Sequence, residues 1–284
     1  MVQIIADTTA CLDVQFAAEH HLPVIPQVIN FGEQSFYEGI DSDNAAFLKR
    51  LQSSPQLPTT SAPSPELFVE QFARLVPLGE PILCIHPSAE ISGTVRAAQV
   101  AAQDFPDADI RVIDTRLVAS ALRTLVELAV NWAEDGVTAD AIVTRLGDLS
   151  LRSRVYFLVP TLEYLKRGGR IGGAKALLSS VLQIKPILAL QNGRVESYEN
   201  ERTHHRALER LKHIVLQQMP VGGNGYLSVM HAGVLGEGQA LADELALATG
   251  QEHVPLVDMP PAIVTHGGPG LLGVSFFVSS KQGE

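Results

Sequence analysis

Two short segments of the chain carry hydroxyl groups beside glycine or proline, a composition suited to binding an anion. Ser92, Gly93 and Thr94 directly precede a predicted helix. The N-terminus of a helix offers unpaired N–H groups and a partial positive charge, which favour a carboxylate or a phosphate. Thr60 and Ser61 lie in a second segment, which reads PTTSAPSP and is predicted to be a loop. These residues predict an anion site, although residues 92–94 alone also fit simple helix capping.

A second group of candidate residues is basic. Residues 166–173 read KRGGRIGG, so that three cations, Arg170 among them, flank glycines that let a backbone approach a ligand closely. Arg202 follows a predicted hairpin, and His266 stands before the string GGPG, where we expect a tightly shaped loop. Histidine is readily recruited to proton transfer near neutral pH, but a single histidine is also often structural. The basic residues predict a ligand or a partner with a charged end.

The elements that position the hydroxyl groups alternate between strands and helices, which indicates a parallel sheet in an α/β domain. Ligands of such sheets bind beyond the carboxyl ends of the strands. Asp7 lies at the end of the first predicted strand, Thr8 follows it and Ser92 follows the third strand, so all three lie where a ligand is expected, although Asp7 also fits a strand-end cap. The predicted strands cover 2–7, 24–29, 81–86 and 110–114, and the helices cover 44–52, 65–75, 94–104 and 115–134.

The second half of the chain follows a different pattern. After a helix at 138–149 and a strand at 155–159, Asn192-Gly193 separates two strand-like runs and predicts a hairpin. The remaining pattern predicts helices packed on a mixed or mostly antiparallel sheet, with helices at 203–218 and 238–249 and strands at 226–231, 254–259 and 271–278. We therefore predict an N-terminal α/β domain over 1–152 and a C-terminal α+β domain over 153–284.

Composition excludes several classes of function. The net charge of −10 over 284 residues argues against nucleic acid as the main ligand. Neither a signal peptide nor an apolar run long enough to cross a membrane is visible, which predicts a cytoplasmic protein. The sequence contains no HExxH motif, no Walker A loop and no GxSxG elbow, and the two cysteines lack metal-ligand spacing. We expect no metal and no cofactor.

Several strings resemble the DegV family of bacterial fatty-acid-binding proteins. The strongest is LEYLKRGGRIGG followed by IKPIL, within 162–190. Shorter strings also match, namely DTTA at 7–10, TSAPSP at 60–65, SGT at 92–94, ERT at 201–203 and HGGPG at 266–270. The resemblance covers nearly the whole chain, from 7 to 276.

The resemblance implies a carrier that binds a long-chain fatty acid in an apolar tunnel between the two domains. It implies that the carboxylate is held by Thr60, Ser61 and Ser92, with Gly93, Thr94 and His266 beside them. Asp7, Thr8, Arg170 and Arg202 are further candidates, and residues 174–182 could line the tunnel or belong to the core. The family includes lipid-presenting subunits of fatty acid kinase, which implies a separate kinase as partner, no turnover by this chain alone and at most transient membrane contact.

Two alternatives remain at the level of the sequence. The chain could be a stand-alone phosphotransferase or hydrolase that uses Arg170, Arg202 and His266 on a phosphorylated small molecule. It could also be a non-enzymatic scaffold whose lipid is only structural. Release of phosphate without a partner would indicate the first, and a lipid that does not exchange would indicate the second.

Overall fold

The computed structural model describes residues 1–41, 43–179, 184–220 and 225–279. Its strands, in chain order, are β1 Gln3–Asp7, β2 Val24–Ile25, β3 Val28–Phe31, β4 Gln34–Tyr37, β5 Thr59–Ser61, β6 Ile82–His86, β7 Ile110–Asp114, β8 Ser153–Leu158, β9 Lys185–Gln191, β10 Arg194–Glu201, β11 Ser228–His231, β12 Leu256–Asp258 and β13 Leu272–Phe277. Its α-helices are α1 Val14–Glu19, α2 Asn44–Ser53, α3 Pro65–Leu75, α4 Thr94–Ala102, α5 Ala119–Glu134, α6 Ala139–Arg152, α7 Glu163–Arg167, α8 His204–Gln218, α9 Leu235–Thr249 and α10 Pro261–Gly267. Short 3-10 helices cover Thr8–Ala10, Val76–Leu78 and Gly172–Ser179.

The chain folds into two compact units. The first comprises Met1–Asp43 and Ser54–Leu151, and the second comprises Asn44–Ser53 and Arg152–Glu284. The sequence places residues 44–53 in the N-terminal domain, whereas the structure groups α2 with the second unit. The reason is local, because α2 packs on α10 and Asn44 Nδ2 donates a hydrogen bond of 2.9 Å to Asp258 Oδ2.

A parallel sheet forms the centre of the first unit and confirms the predicted α/β architecture. Its strand order is β2-β1-β6-β7, and every neighbouring pair is parallel. The strands are short apolar runs, and helices α3 and α4 cover them with side chains that share a buried cluster with the sheet, including Phe68, Phe72 and Ala98. Burying such side chains stabilises a fold by about 1.5–3 kcal/mol each.

A small antiparallel sheet, β4-β3-β5, was not predicted from the sequence. The single strand predicted over 24–29 is divided into β2 and β3, because Pro26 has no amide proton to continue the ladder beside β1. Beyond Pro26 the chain pairs instead with β4 and β5, where Ile29 lies opposite Thr60. The segment predicted as a loop around Thr60 and Ser61 is therefore partly a strand.

The second unit contains the mixed sheet that the sequence predicts. Its order is β10-β9-β8-β13-β11-β12, and the neighbouring strands are antiparallel except for the parallel pair of β11 and β12. Asn192 and Gly193 close the β9–β10 hairpin with positive φ values of 50° and 80°, as a type I′ turn requires. Helices α8 and α9 bury one face of the sheet with leucine and isoleucine side chains such as Leu211 and Leu245.

Candidate functional site

The two hydroxyl-bearing segments of the first unit lie against one another. Thr60 and Ser61 belong to β5, while Ser92 and Gly93 lead into α4 beyond the carboxyl end of β6. A Cβ atom added to Gly93 would lie 3.1 Å from the Cβ of Ala62, which is closer than side chains usually pack. Glycine at position 93 therefore permits the close approach of the two segments.

Asp7 is the buried centre of a hydrogen-bond network beneath these segments. Its side chain is fully buried at the end of β1. Oδ1 accepts hydrogen bonds from the backbone N–H and the hydroxyl of Thr9, at 3.0 and 2.6 Å. Oδ2 lies 2.8 Å from Nδ1 of His86, which is also fully buried and packs edge-on against Phe68. The remaining nitrogen of His86, Nε2, has no hydrogen-bond partner among the described residues.

Gln27 connects Asp7 to the hydroxyl groups at the start of α4. Gln27 Nε2 donates to Asp7 Oδ1 at 3.1 Å and to Thr94 Oγ1 at 2.9 Å. Thr94 Oγ1 in turn lies 2.8 Å from Ser92 Oγ, and the Thr94 N–H donates to the same Ser92 oxygen at 3.3 Å. The chain of contacts therefore runs from a buried carboxylate to the partly buried hydroxyl of Ser92.

Sequence reasoning identified Asp7, Ser92 and Thr94 but missed Gln27 and His86. Both missed residues are polar side chains in apolar surroundings, next to Pro26 and at the end of the run PILCIH. Buried polar side chains almost always have hydrogen-bond partners, so a polar residue inside a predicted core strand is the signal that could have found them.

The other candidates of the first unit join the same region. Thr8 Oγ1 accepts a hydrogen bond of 3.1 Å from the backbone N–H of Gln27. The exposed Ser61 Oγ accepts one of 3.0 Å from Asn30 Nδ2 on the neighbouring strand β3. Thr60 lies partly buried between Thr59 and Ser61 on β5.

In the second unit, the structure brings His266 and Arg170 together. His266 lies in the last turn of α10, not in the loop predicted from the sequence, and α10 packs on α7. Its ring abuts Gly168, where an added Cβ would overlap Nδ1 of His266. Arg170 Nη1 donates a hydrogen bond of 2.7 Å to the Gly168 carbonyl oxygen. The glycine-rich turn therefore holds a guanidinium close to the imidazole ring.

Burial determines the charges of this pair. Burial, followed by the positive charge of Arg170, lowers the pKa of His266 to about 4. Burial also lowers the pKa of Arg170. His266 is therefore neutral at pH 7, so the guanidinium supplies the positive charge. This differs from the sequence-based expectation of a histidine that titrates near neutral pH, because that expectation took no account of burial.

The remaining cations are distributed over the surface of the second unit. Lys166 and Arg167 form the last turn of α7, and Arg202 is exposed on the turn between β10 and α8. The end of the glycine-rich turn packs on β10, where Cβ atoms at Gly172 and Gly173 would overlap Val195 and Glu196. The chain after this turn forms a 3-10 helix over Gly172–Ser179. Residues 180–183 lie outside the described residues, so the structure describes only part of the segment 174–182 that could line the tunnel.

The described residues provide neither a cluster of metal ligands nor a membrane-spanning helix. They contain no group of three or more His, Cys, Asp or Glu side chains placed to hold a metal ion. None of the described helices combines the length and hydrophobicity that a membrane span requires.

Comparison with known proteins identifies relatives over almost the entire chain. A family model described as "Uncharacterised protein, DegV family" matches residues 1–279. A DegV domain-containing protein from Streptomyces coelicolor is 38% identical over 282 residues, which cover 99% of each chain.

Solved structures with the same fold provide a second comparison. A DegV family protein from Thermus thermophilus, described by its fatty acid binding, is 30% identical with a TM-score of 0.89 and covers 98% of this chain and 99% of its own. A fatty acid binding DegV family protein from Streptococcus agalactiae is 26% identical with a TM-score of 0.90, and the match covers 99% of each chain.

Proposed function

This chain belongs to the DegV family, and we propose on that basis that it binds a long-chain fatty acid and presents it to a separate kinase. The proposal assigns the carboxylate to the first unit, at the hydroxyl groups of Thr60, Ser61 and Ser92, with Gly93 and the buried Thr94 beside them. Fatty acid binding by the Thermus and Streptococcus relatives supports the choice of ligand.

The observation that carries the proposal is the contact between the two hydroxyl segments. Gly93 lies against Ala62. Ser61 and Ser92, which directly precede these two residues, therefore lie on neighbouring segments. Both of their hydroxyl oxygens already accept a hydrogen bond from within the first unit, at 3.0 Å from Asn30 and 3.3 Å from the Thr94 N–H. Their own protons can therefore be donated to a ligand oxygen, and a carboxylate offers acceptors only.

The energetics of a fatty acid divide between the chain and the headgroup. Each buried methylene contributes about 0.8 kcal/mol, so a chain of roughly fifteen gives about 12 kcal/mol before the costs of association and ordering. A carboxylate that is desolvated without donors costs far more than one hydrogen bond returns. Affinity would thus come from the acyl chain, and position from the hydroxyls. The predicted tunnel remains a prediction.

Presentation to a kinase is the second part of the proposal. It requires residues that a partner can reach, and Arg202 is exposed on its turn. We assign Arg202 to contact with the kinase or with the phosphoryl group. In the second unit, Arg170 would supply positive charge to an anionic ligand, and neutral His266 would supply a single hydrogen bond.

Lipid exchange tests the carrier function. Delipidated protein is titrated with hexadecanoic acid, and the loaded protein is then incubated with ATP and a fatty acid kinase catalytic subunit. We expect saturable, exchangeable binding and acyl phosphate only when the kinase is present. A bound lipid that does not exchange and is not phosphorylated would instead indicate a structural lipid. Phosphate release from ATP or an acyl phosphate without any partner would indicate the stand-alone enzyme.

A further inference from the structure

The direction of the hydrogen bonds around Gln27 is fixed by the oxygen that its side chain contacts. Asp7 Oδ1 faces the backbone N–H of Thr9 at 3.0 Å, and an N–H group can only donate, so this oxygen is an acceptor. The atom of Gln27 that lies 3.1 Å from it must therefore be the amide nitrogen. The flipped amide would set two acceptor oxygens against each other in a buried site, which is costly.

The second amide proton of Gln27 determines the direction in which the Thr94 hydroxyl donates its hydrogen bond. Gln27 Nε2 donates to Thr94 Oγ1 at 2.9 Å. Thr94 is fully buried, and its other side-chain hydrogen bond among the described residues is to Ser92 Oγ at 2.8 Å. A buried hydroxyl proton requires an acceptor, so Thr94 donates to Ser92.

Ser92 is consequently left with one proton to donate. Its oxygen accepts from the Thr94 hydroxyl and from the Thr94 N–H at 3.3 Å, which uses both lone pairs. The residue is only partly buried, so its proton is available to an acceptor outside the network.

We propose that Asp7 and Gln27 are positioning residues that polarise Thr94 and make Ser92 a hydrogen-bond donor to the bound headgroup. The inference rests on the proposed fatty acid binding and deepens it, because it states how the site selects an anion. A carboxylate only accepts hydrogen bonds, whereas the hydroxyl of a fatty alcohol both donates and accepts. The ratio of affinities for hexadecanoic acid and 1-hexadecanol therefore reports the direction of the Ser92 hydroxyl.

Gln27→Glu tests this direction, because its carboxyl group, protonated where it faces Asp7 Oδ1, donates to Asp7 as the amide does while the same oxygen accepts from Thr94. Thr94 then donates to position 27, Ser92 donates to Thr94, and the lone pairs of Ser92 face the ligand. We expect the acid-to-alcohol affinity ratio to fall at least about tenfold, since hydrogen bonds to charged groups are the stronger ones. Gln27→Met removes the donor to Thr94 without adding a strong acceptor, so its ratio should fall by less, about threefold. An unchanged ratio in Gln27→Glu would overturn the inference.

The new carboxyl group of Gln27→Glu could also repel the ligand directly, and a double-mutant cycle separates the two effects. In a Ser92→Ala background, Gln27→Glu should leave the ratio at the value of Ser92→Ala alone. A further fall of the same size in that background would show repulsion through space and would contradict a role for Ser92.

A second pair of variants keeps the test available if Gln27→Glu does not fold. Thr94→Val removes the donor to Ser92 and should lower the ratio about fivefold, whereas Thr94→Ser should keep it. Equal ratios in Thr94→Val and Thr94→Ser would overturn the inference. Ser228→Ala, which breaks a buried hydroxyl pair with Ser275 at 3.0 Å in the second unit, should not change the ratio.

If the original protein binds no hexadecanoic acid, the proposed function fails as well. If it binds the acid but the affinity ratios of these variants differ from the expected ones, the inference alone fails.

Discussion

Acidification should destabilise the second unit through His266. Burial beside Arg170 lowers the pKa of this ring to about 4, against an ordinary value of 6.5. The gap corresponds to about 3–4 kcal/mol, at about 1.4 kcal/mol per pH unit. The ring is only partly buried, so contact with water reduces the expected contribution to about 1–2 kcal/mol.

The direction of this pH dependence follows from proton binding at His266. Between pH 6.5 and pH 4 the unfolded chain binds a proton at His266 and the folded chain does not. The free energy of unfolding therefore includes the full contribution of His266 above pH 6.5 and loses it progressively as the pH falls toward 4.

NMR titration of the histidine rings measures this pKa directly. The resonance of His266 is assigned by its absence in His266→Gln, and its midpoint should lie near pH 4. In Arg170→Met the midpoint should rise only partly, because burial is the larger cause. Urea unfolding at pH 7 and pH 5 should show a smaller loss of stability in His266→Gln than in the original protein. A midpoint close to pH 6.5 in the folded protein would show that neither burial nor Arg170 lowers the pKa of His266.

Further predictions concern Gly168, Ser92 and Arg202, with Gly236 as a control position. Gly168→Ala should destabilise the protein by about 1–3 kcal/mol in urea unfolding, because the new Cβ overlaps the His266 ring. Gly236→Ala, in open space on α9, should be neutral or slightly stabilising, and equal effects of the two would contradict the proposed overlap. Ser92→Ala should weaken fatty acid affinity about fivefold in titrations of delipidated protein, and unchanged affinity would remove Ser92 from the site. Arg202→Ala should lower the rate of acyl phosphate formation by the kinase more than it lowers affinity, and equal losses of both would argue against a partner contact.

Elements with strong periodicity and clear end signals were predicted well. The four strands of the parallel sheet lie within or beside their predicted ranges, and the Asn192-Gly193 hairpin is confirmed. Helix α8 begins at His204 with Thr203 as its N-cap, because the Thr203 hydroxyl accepts from the Arg206 N–H. In each case a local signal agrees with the tertiary fold. The comparisons also confirm the predicted family.

Features that depend on distant partners were not predicted. The strand β5 exists because β3 pairs with it, and nothing in PTTSAPSP indicates that partner. The grouping of α2 with the second unit depends on Asp258, more than two hundred residues away. The candidate site was likewise predicted only where its residues are close in sequence. Ser92 and Thr94 could be identified from local spacing, but Gln27 joins them across 67 residues and is visible only in the structure.

Native mass spectrometry of the purified protein, followed by denaturation and lipid extraction, shows directly whether this chain carries a fatty acid. We expect a stoichiometric adduct whose mass matches a long-chain fatty acid and which exchanges with added hexadecanoic acid. An empty protein that also fails to bind added fatty acid would contradict this expectation and would direct attention to a phosphorylated ligand at Arg170, Arg202 and His266.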